Sequence, residues 1–385
     1  MVLLWSLATN HTWISGAVIA ATAMLAAVEV ARTRSMPREA WLLLLPFGYW
    51  AISFLLTDES WSVFFSMDFM RRDGAIYVCL LPIAALAALP LDRNRLSWML
   101  LFYLAFQAAI ALVGGIGALT GWSSTFYHAA NLVDHQPTFF GLYIAHNATA
   151  SVYALLTLGA FAWALRRDNP PKLRVILFVL TVILGFGCVL ARSRGAFLAL
   201  GVSMIFVVLR ALRQGLPKRL KIAAVAGLVV LIAGGSIVMV PRFLRAIEQG
   251  GDRDRRENWS QAWSHFKRSP IVGIGFGRYN DRNLEFESIG FGEVATKAVV
   301  WNDDRHAHNS YLHWLAEGGA LGLAVMIAFW ILVVRSLKGD DPLRDWILAG
   351  VVALAGLSLT EHYAGGGVFL VHLAFLIGVH QSRSE

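Results

Sequence analysis

Cysteine is almost absent. Cys79 and Cys188 are the two in the chain, and both lie inside apolar stretches, which excludes a disulfide framework and a cysteine-ligated metal. Charge is scarce as well: Asp, Glu, Lys and Arg make up 15% of the residues against 57% hydrophobic ones. That balance excludes a water-soluble domain, whose outer elements would alternate apolar and polar positions. Acid is scarcer than base, 25 residues against 33, for a formal net charge of +8. The basic residues are scattered through short intervals between apolar runs and not gathered on one polar domain. No nucleic-acid partner is therefore expected, and membrane lipid is. Low-complexity tracts and short-period repeats are missing. The start, Met1-Val2-Leu3-Leu4-Trp5, has no positive charge before the first apolar run, so it reads as a clipped half-helix and not as a cleaved signal peptide.

What is present is a series of apolar runs of about 20 residues, the length that crosses a bilayer. About eleven spans are predicted, near 12–30, 40–57, 74–90, 96–119, 142–165, 174–191, 195–212, 222–240, 309–334, 345–361 and 365–380. The fold class is all-α, a polytopic membrane helical bundle. It divides into an N-terminal bundle, 1–240, a large loop, 241–308, and C-terminal helices, 309–385, within one membrane domain.

Arginine and lysine set the orientation, because positively charged loops stay in the cytoplasm during insertion. The loops near 32–38, 93–95, 166–174, 210–221 and 335–344, with Arg383, hold most of the basic residues, whereas the opposite short loops carry Arg71, Arg72, Arg192 and Arg194. The long loop falls on the second side. It is therefore predicted to be extracytoplasmic, with a cytoplasmic C-terminus. By the same parity, Arg192 and Arg194 share a membrane face with His308.

Within the long loop, Trp259, Ala262, Trp263 and Phe266 recur at helical spacing, with Asp252 and Asp254 as available caps and Pro270 beyond, so a short amphipathic helix is predicted. Gly273-Ile274-Gly275-Phe276-Gly277 reads as a tight turn. It lacks the spacing and strand-helix context of a nucleotide fingerprint. Residues 278–305, rich in acid, read as an irregular lid.

Ionisable groups at a membrane boundary are costly, which makes them the first candidates for chemistry. Arg192-Ser193-Arg194-Gly195 interrupts a long apolar run: either a turn whose arginines reach lipid headgroups, or a guanidinium fork aimed at phosphate, with Gly195 permitting close backbone approach. Asp252-Arg253-Asp254-Arg255-Arg256 is either a solvated helix face or a source of a second cation, Arg255 or Arg256, at a helix N-terminus that favours anions. His306, His308 and His313 crowd the mouth of the 309–334 span. His308 stands out, since the positive helix end and neighbouring arginines favour a neutral imidazole able to accept a proton. His306 and His313 are weaker candidates, and His146, His362 and His372 weaker still. The histidine spacing matches no zinc motif, and arginines can neutralise phosphate without a metal, so neither metal nor cofactor is predicted.

His308-Asn309, nine residues, Gly319, two residues, Gly322 resembles the H-N-x9-G-x-x-G signature of the bacterial O-antigen ligase and O-antigen polymerase superfamily. Ser193-Arg194-Gly195-Ala196 is similar to that family's S-R-G-A turn. Arg255, four residues before Trp259 and followed by Pro270 and the glycine turn, is similar to its loop arginine, with Arg256 one residue away. The resemblance covers roughly 190–325. It implies a membrane glycosyltransferase of GT-C type with usually twelve spans, in the bacterial inner membrane. The donor it implies is an undecaprenyl-diphosphate-linked glycan, and the acceptor lipid A-core oligosaccharide or, for a polymerase, a second lipid-linked glycan. His308 would be the general base and Arg194 and Arg255 the diphosphate-binding residues. Arg192, Arg256, Asn309, Tyr311 and His306 are secondary candidates. A transporter or flippase, or a scaffold, remains the alternative class.

Overall fold

A computed structural model describes residues 24, 25, 27–33, 38–56, 75–120, 127–133, 136–139, 141–143, 145–248, 253–279, 306–339, 341–361 and 368–384. The predicted span near 12–30 lies mostly outside the described residues, as do Arg71, Arg72, His362 and most of the predicted lid. The remaining predicted spans are helices: α1 (Leu44–Leu56), α2 (Ala75–Ala87), α3 (Arg93–Thr120), α4 (His146–Ala164), α5 (Pro171–Leu190), α6 (Arg194–Arg213), α7 (Lys218–Glu248), α9 (Ser310–Ser336), α10 (Pro342–Leu357) and α11 (Val368–Gln381). Between α7 and α9 stands α8 (Arg253–Arg268), the predicted amphipathic helix. A 3-10 helix over Arg38–Leu43 leads into α1, and there are two short strand pairs, β1 (Pro90–Leu91) with β4 (Arg383–Ser384) and β2 (Tyr127–Val133) with β3 (Gln136–Phe139). The fold is all-α in class, a multi-pass bundle in which α3, α5, α6, α7 and α9 are long and apolar enough to cross a membrane.

Helix α4 is the axis of the bundle. Its residues from Thr149 to Ala164 are all buried, because small and apolar side chains surround it on every face. Gly159 lets Trp346 of α10 lie against the α4 backbone, where a Cβ would collide with the indole, and Trp346 Nε1 donates to the Leu155 carbonyl at 2.8 Å. Around this axis, α5, α6 and α7 turn apolar side chains outward, among them Val182, Val202 and Val229. In water such surfaces would be a liability; against hydrocarbon they are the required outer face.

Two boundaries differ from the hydropathy reading. The helix predicted over 222–240 continues to Glu248, because the polar residues after 240 end a hydrophobic window without ending a helix. The span predicted over 345–361 ends at Leu357 with Ser358 as its C-cap, which frees residues 358–361 as a turn. That turn organises the site.

The glycine segment after α8 locks onto α9. Gly273, Gly275 and Gly277 all have positive φ, and the backbone N–H groups of Ile274 and Gly275 donate to the Ala316 and Glu317 carbonyls at 3.0 Å. In return, α9 breaks at Gly319, at φ 63°, and the N–H groups of Ala320 and Leu321 donate to Pro270 and Ile271. A Cβ at Gly273 would collide with the Glu317 carbonyl, and one at Gly319 with that of Ile271. Glycine at 319 is thus a steric requirement of the junction. Gly322 accommodates Tyr49 of α1, whose hydroxyl donates to the Gly318 carbonyl.

Candidate active site

Two helix N-termini are built alike at one end of the bundle. Helix α6 starts with Ser193, whose hydroxyl accepts from the Ala196 N–H, and α9 with Asn309, whose carbonyl oxygen accepts from Tyr311 and Leu312. Each cap is preceded by a residue in the left-handed region, Arg192 at φ 57° and His308 at φ 49°, the two non-glycine residues there among those described. Such a conformation costs about 1–3 kcal/mol and persists where surrounding contacts impose it.

Those contacts come from the 358–361 turn. The Ser310 N–H donates to the Ser358 carbonyl at 2.8 Å, Asn309 Nδ2 to the Leu359 carbonyl at 3.2 Å, and the Ser310 hydroxyl to the Glu361 carbonyl at 3.0 Å. From the other side, Gly195 of α6 lies so close to Thr360 that a Cβ would run into its hydroxyl. The start of α6, carrying Arg194, and the start of α9, carrying His308, therefore meet on the same four residues.

Glu361 is the centre of this arrangement. Its carboxylate lies 2.9 Å from His308 Nδ1 and 3.3 Å from Arg255 Nη2, and accepts from Asn147 Nδ2, at the start of α4, at 3.1 Å. Burial pushes the Glu361 carboxyl up, but the hydrogen bond from His308 and the positive fields of His308, Arg255 and His306 outweigh it and hold the group below its ordinary value. The carboxylate is charged and orients the imidazole. With the proton on Nδ1, Nε2 carries the lone pair.

The predicted residues divide by position. His308 and Arg255 touch the same carboxylate, while Arg256 beside it is exposed. Arg194 is half-buried, next in sequence to the Gly195 that lies against Thr360, and Arg192 shares that strained corner. The His306 ring packs on His308 with centroids 4.4 Å apart, and its Nδ1 accepts from the His308 N–H. Asn309 is a cap. Tyr311 points along α10, donating to the Ala355 carbonyl at 2.9 Å. His313 is elsewhere, buried beside Glu317 at 3.2 Å and stacked near Tyr279, in a cluster where Tyr279 N–H donates to Glu317 and Gln261 of α8 donates to the Tyr279 carbonyl. His372 is buried against Tyr103 at 2.7 Å, inside the bundle.

Sequence reasoning missed Glu361 and Asn147. Glu361 stands at the end of an apolar run, and that position, an acid at a membrane boundary, is the signal that could have found it. It also missed Arg242, buried in α7 on the stretch whose Met239 packs with Val189 and Phe197, the residues flanking the Arg192–Arg194 corner.

His306, His308 and Glu361 could hold a metal, since one donor atom from each lies within 4.8 Å of the others. The Arg255 guanidinium is already 3.3 Å from the same carboxylate. A divalent cation entering there would face that positive charge and have to displace the hydrogen bond that orients His308.

Residues 179–327 match the family model described as O-antigen ligase. This segment is similar to the O-antigen ligase family. It contains Arg192, Arg194, Arg255, Arg256, His306, His308, Asn309 and Tyr311, so the O-antigen ligase match covers the predicted site, whereas Asn147 and Glu361 lie outside it. A comparison with curated proteins gives no match.

Proposed function

We propose that the protein is an inverting glycosyltransferase that moves a glycan from undecaprenyl diphosphate to a hydroxyl of lipid A-core oligosaccharide at the periplasmic face of the bacterial inner membrane, without metal or ATP. The observation that carries this reading is the single carboxylate, Glu361, that holds both a histidine and an arginine at the meeting point of two helix N-termini.

His308 Nε2 takes the proton of the acceptor hydroxyl as its oxygen attacks the anomeric carbon from the face opposite the diphosphate. The bond from that carbon to the diphosphate oxygen breaks and the electron pair leaves with undecaprenyl diphosphate. A positioned base of this kind contributes about 100- to 10,000-fold. Arg194 and Arg255, with the positive ends of α6 and α9, stabilise the charge that develops on the leaving group. Diphosphate departs readily once its charge is compensated, so no acid and no metal is required.

A lipid-borne donor is supported by an apolar groove of about 390 Å³ that starts at Ser310, Tyr311 and Ser358 and runs between α9 and α10 past Met326 and Trp330 to Arg335. Helix α9 leans on α1 and α8 while α10 packs on α4 and α6, so these neighbours in sequence stand apart along their length. The groove opens beside the site and has the character an isoprenoid chain needs.

The test is transfer by the purified protein with lipid-linked donor and acceptor, in the presence of chelator and without nucleotide. Product, abolished by His308→Ala, is expected. No product from a competent preparation overturns the mechanism. Gene deletion separates ligase from polymerase: loss of all O-antigen from the core is expected, and retention of single repeat units would assign the polymerase reaction. Normal joining by His308→Ala would remove the base assignment and reopen a transporter.

A further inference from the structure

The end of the bundle opposite His308 carries a second built cavity that the transfer reaction does not use. It has a volume of about 500 Å³ and is lined by Arg166, Arg167 and Asp168 from the turn after α4, Arg210 and Gln214 from the end of α6, and Arg344 and Asp345 from α10. Three segments that are separate in sequence thus converge four guanidinium groups on one space.

The charges do not balance. Arg210 pairs with Asp345 at 2.6 Å, both partly buried, and Arg166 with Asp168 at 3.0 Å, the latter well exposed. Arg167 and Arg344 instead donate to neutral backbone carbonyls, those of Gln214 and Gly339. Among the described residues that line the cavity, four arginines stand against two aspartates, which gives the wall a net positive charge. Arg344 Nε is also buried with no hydrogen-bond partner among the described residues. A carbonyl satisfies the geometry of a guanidinium but not its charge.

A second cavity of about 290 Å³ shares Arg210 and Gln214 with the first and extends along the outer face of α6 past Phe206, Leu209 and Arg213. Val202, Ile205 and Leu209 continue that face outward, each exposed. Their spacing of three and four residues makes one apolar stripe on a helix that meets lipid. A cationic pocket opening directly onto an apolar stripe matches a molecule with an anionic head and a hydrocarbon tail.

We infer that this is a binding site for an anionic phospholipid, with its phosphate among Arg167, Arg210 and Arg344 and one acyl chain along Phe206 and Leu209 of α6. The arginines are the recognition element, because a phosphodiester supplies acceptor oxygens and the missing negative charge together. Occupancy would tie α4, α6 and α10 together at the face remote from His308. The site does not depend on the transfer chemistry proposed above.

The experiment is native mass spectrometry of the full-length protein after equilibration with mixed micelles containing equal dioleoyl phosphatidylglycerol and dioleoyl phosphatidylcholine. Preferential retention of phosphatidylglycerol is expected. It should fall about fivefold in Arg167→Gln and again in Arg344→Gln, the effect of one guanidinium at a lipid surface. Leu209→Glu, on an exposed face where no core is emptied, should expel the lipid while leaving the arginine pocket intact. Equal retention of the two lipids by the wild type overturns the inference, as does unchanged preference in folded Arg167→Gln. Inorganic phosphate in excess distinguishes the source: if it displaces nothing, the lipid assignment stands. If it binds equally well in the wild type and in Leu209→Glu while lipid retention is indifferent to that substitution, the pocket takes a soluble anion and the lipid assignment is lost.

Discussion

Helix α6 carries arginines at both ends, and the two ends use them differently. At its start, Arg194 stands beside a cluster organised by one carboxylate, in which Glu361 takes His308, Arg255 and Asn147 at once and two residues are held in left-handed backbone. Near its finish, about 24 Å away along the helix axis, Arg210 pairs with Asp345 while neighbouring arginines reach backbone carbonyls. The first end concentrates several bonds on one group, so losing that group disorganises the whole cluster. The second distributes its bonds, so each loss stays local. The proposed catalysis needs the first arrangement, because a base must be held in one orientation. The proposed lipid contact is served by the second.

The sharpest way to break this comparison is His308→Ala. A loss of about 100- to 10,000-fold in transfer is expected, with membrane insertion unchanged. A comparable loss from Arg167→Gln at the other end would erase the distinction between the ends. Next, Arg194→Ala should lower kcat by about 100- to 1,000-fold if its charge acts on the leaving diphosphate. Restoration of most activity by Arg194→Lys would mean that charge alone suffices.

Glu361→Gln sharpens the comparison through pH. The carboxyl is held below its ordinary value in the folded protein, so its stabilising effect is present above the ordinary carboxylate range and disappears as pH falls through the lowered value. Thermal unfolding of the wild type should weaken on the acid side of that range, and Glu361→Gln should lack this component. Coinciding profiles would show that Glu361 contributes nothing to holding the cluster. The expected kinetic companion is a fall in kcat with little change in KM.

Gly319→Ala tests the junction that positions the cluster. The positive φ and the collision with the Ile271 carbonyl predict a loss of about 1–3 kcal/mol in stability, read as a lowered Tm in detergent. The smallest effect belongs to the groove. Ile327→Trp, on its exposed wall, should raise KM about tenfold for a long-chain donor, the worth of a few displaced methylenes, and leave a short-prenyl donor nearly unaffected. Equal effects on both donors would place the isoprenoid elsewhere.

Much of the site is written in short-range pattern. His308, Arg194 and Arg255 stand in local motifs, each beside a cap, a glycine or an aromatic helix face, and α8 announces itself through Trp259, Trp263 and Phe266. Glu361 and Asn147 have no such neighbourhood. An acid after a run of leucine, serine and threonine reads as the polar end of a span, and nothing near it in sequence tells that Asn147, 214 residues away, will donate to it. The role of Gly319 was visible as a motif letter but not as a cause, since its reason is a collision with Ile271 across the α8–α9 junction.

Sequence alone determined that this chain is a multi-pass helical membrane protein and where its apolar helices run, and it predicted that Arg192, Arg194 and His308 share one face, because apolar length and loop charge act residue by residue along the chain. Only the tertiary structure decided which carboxylate holds the histidine, which of two adjacent arginines reaches it, and where α9 must break. Those depend on distances between helices, which packing sets and no local pattern encodes.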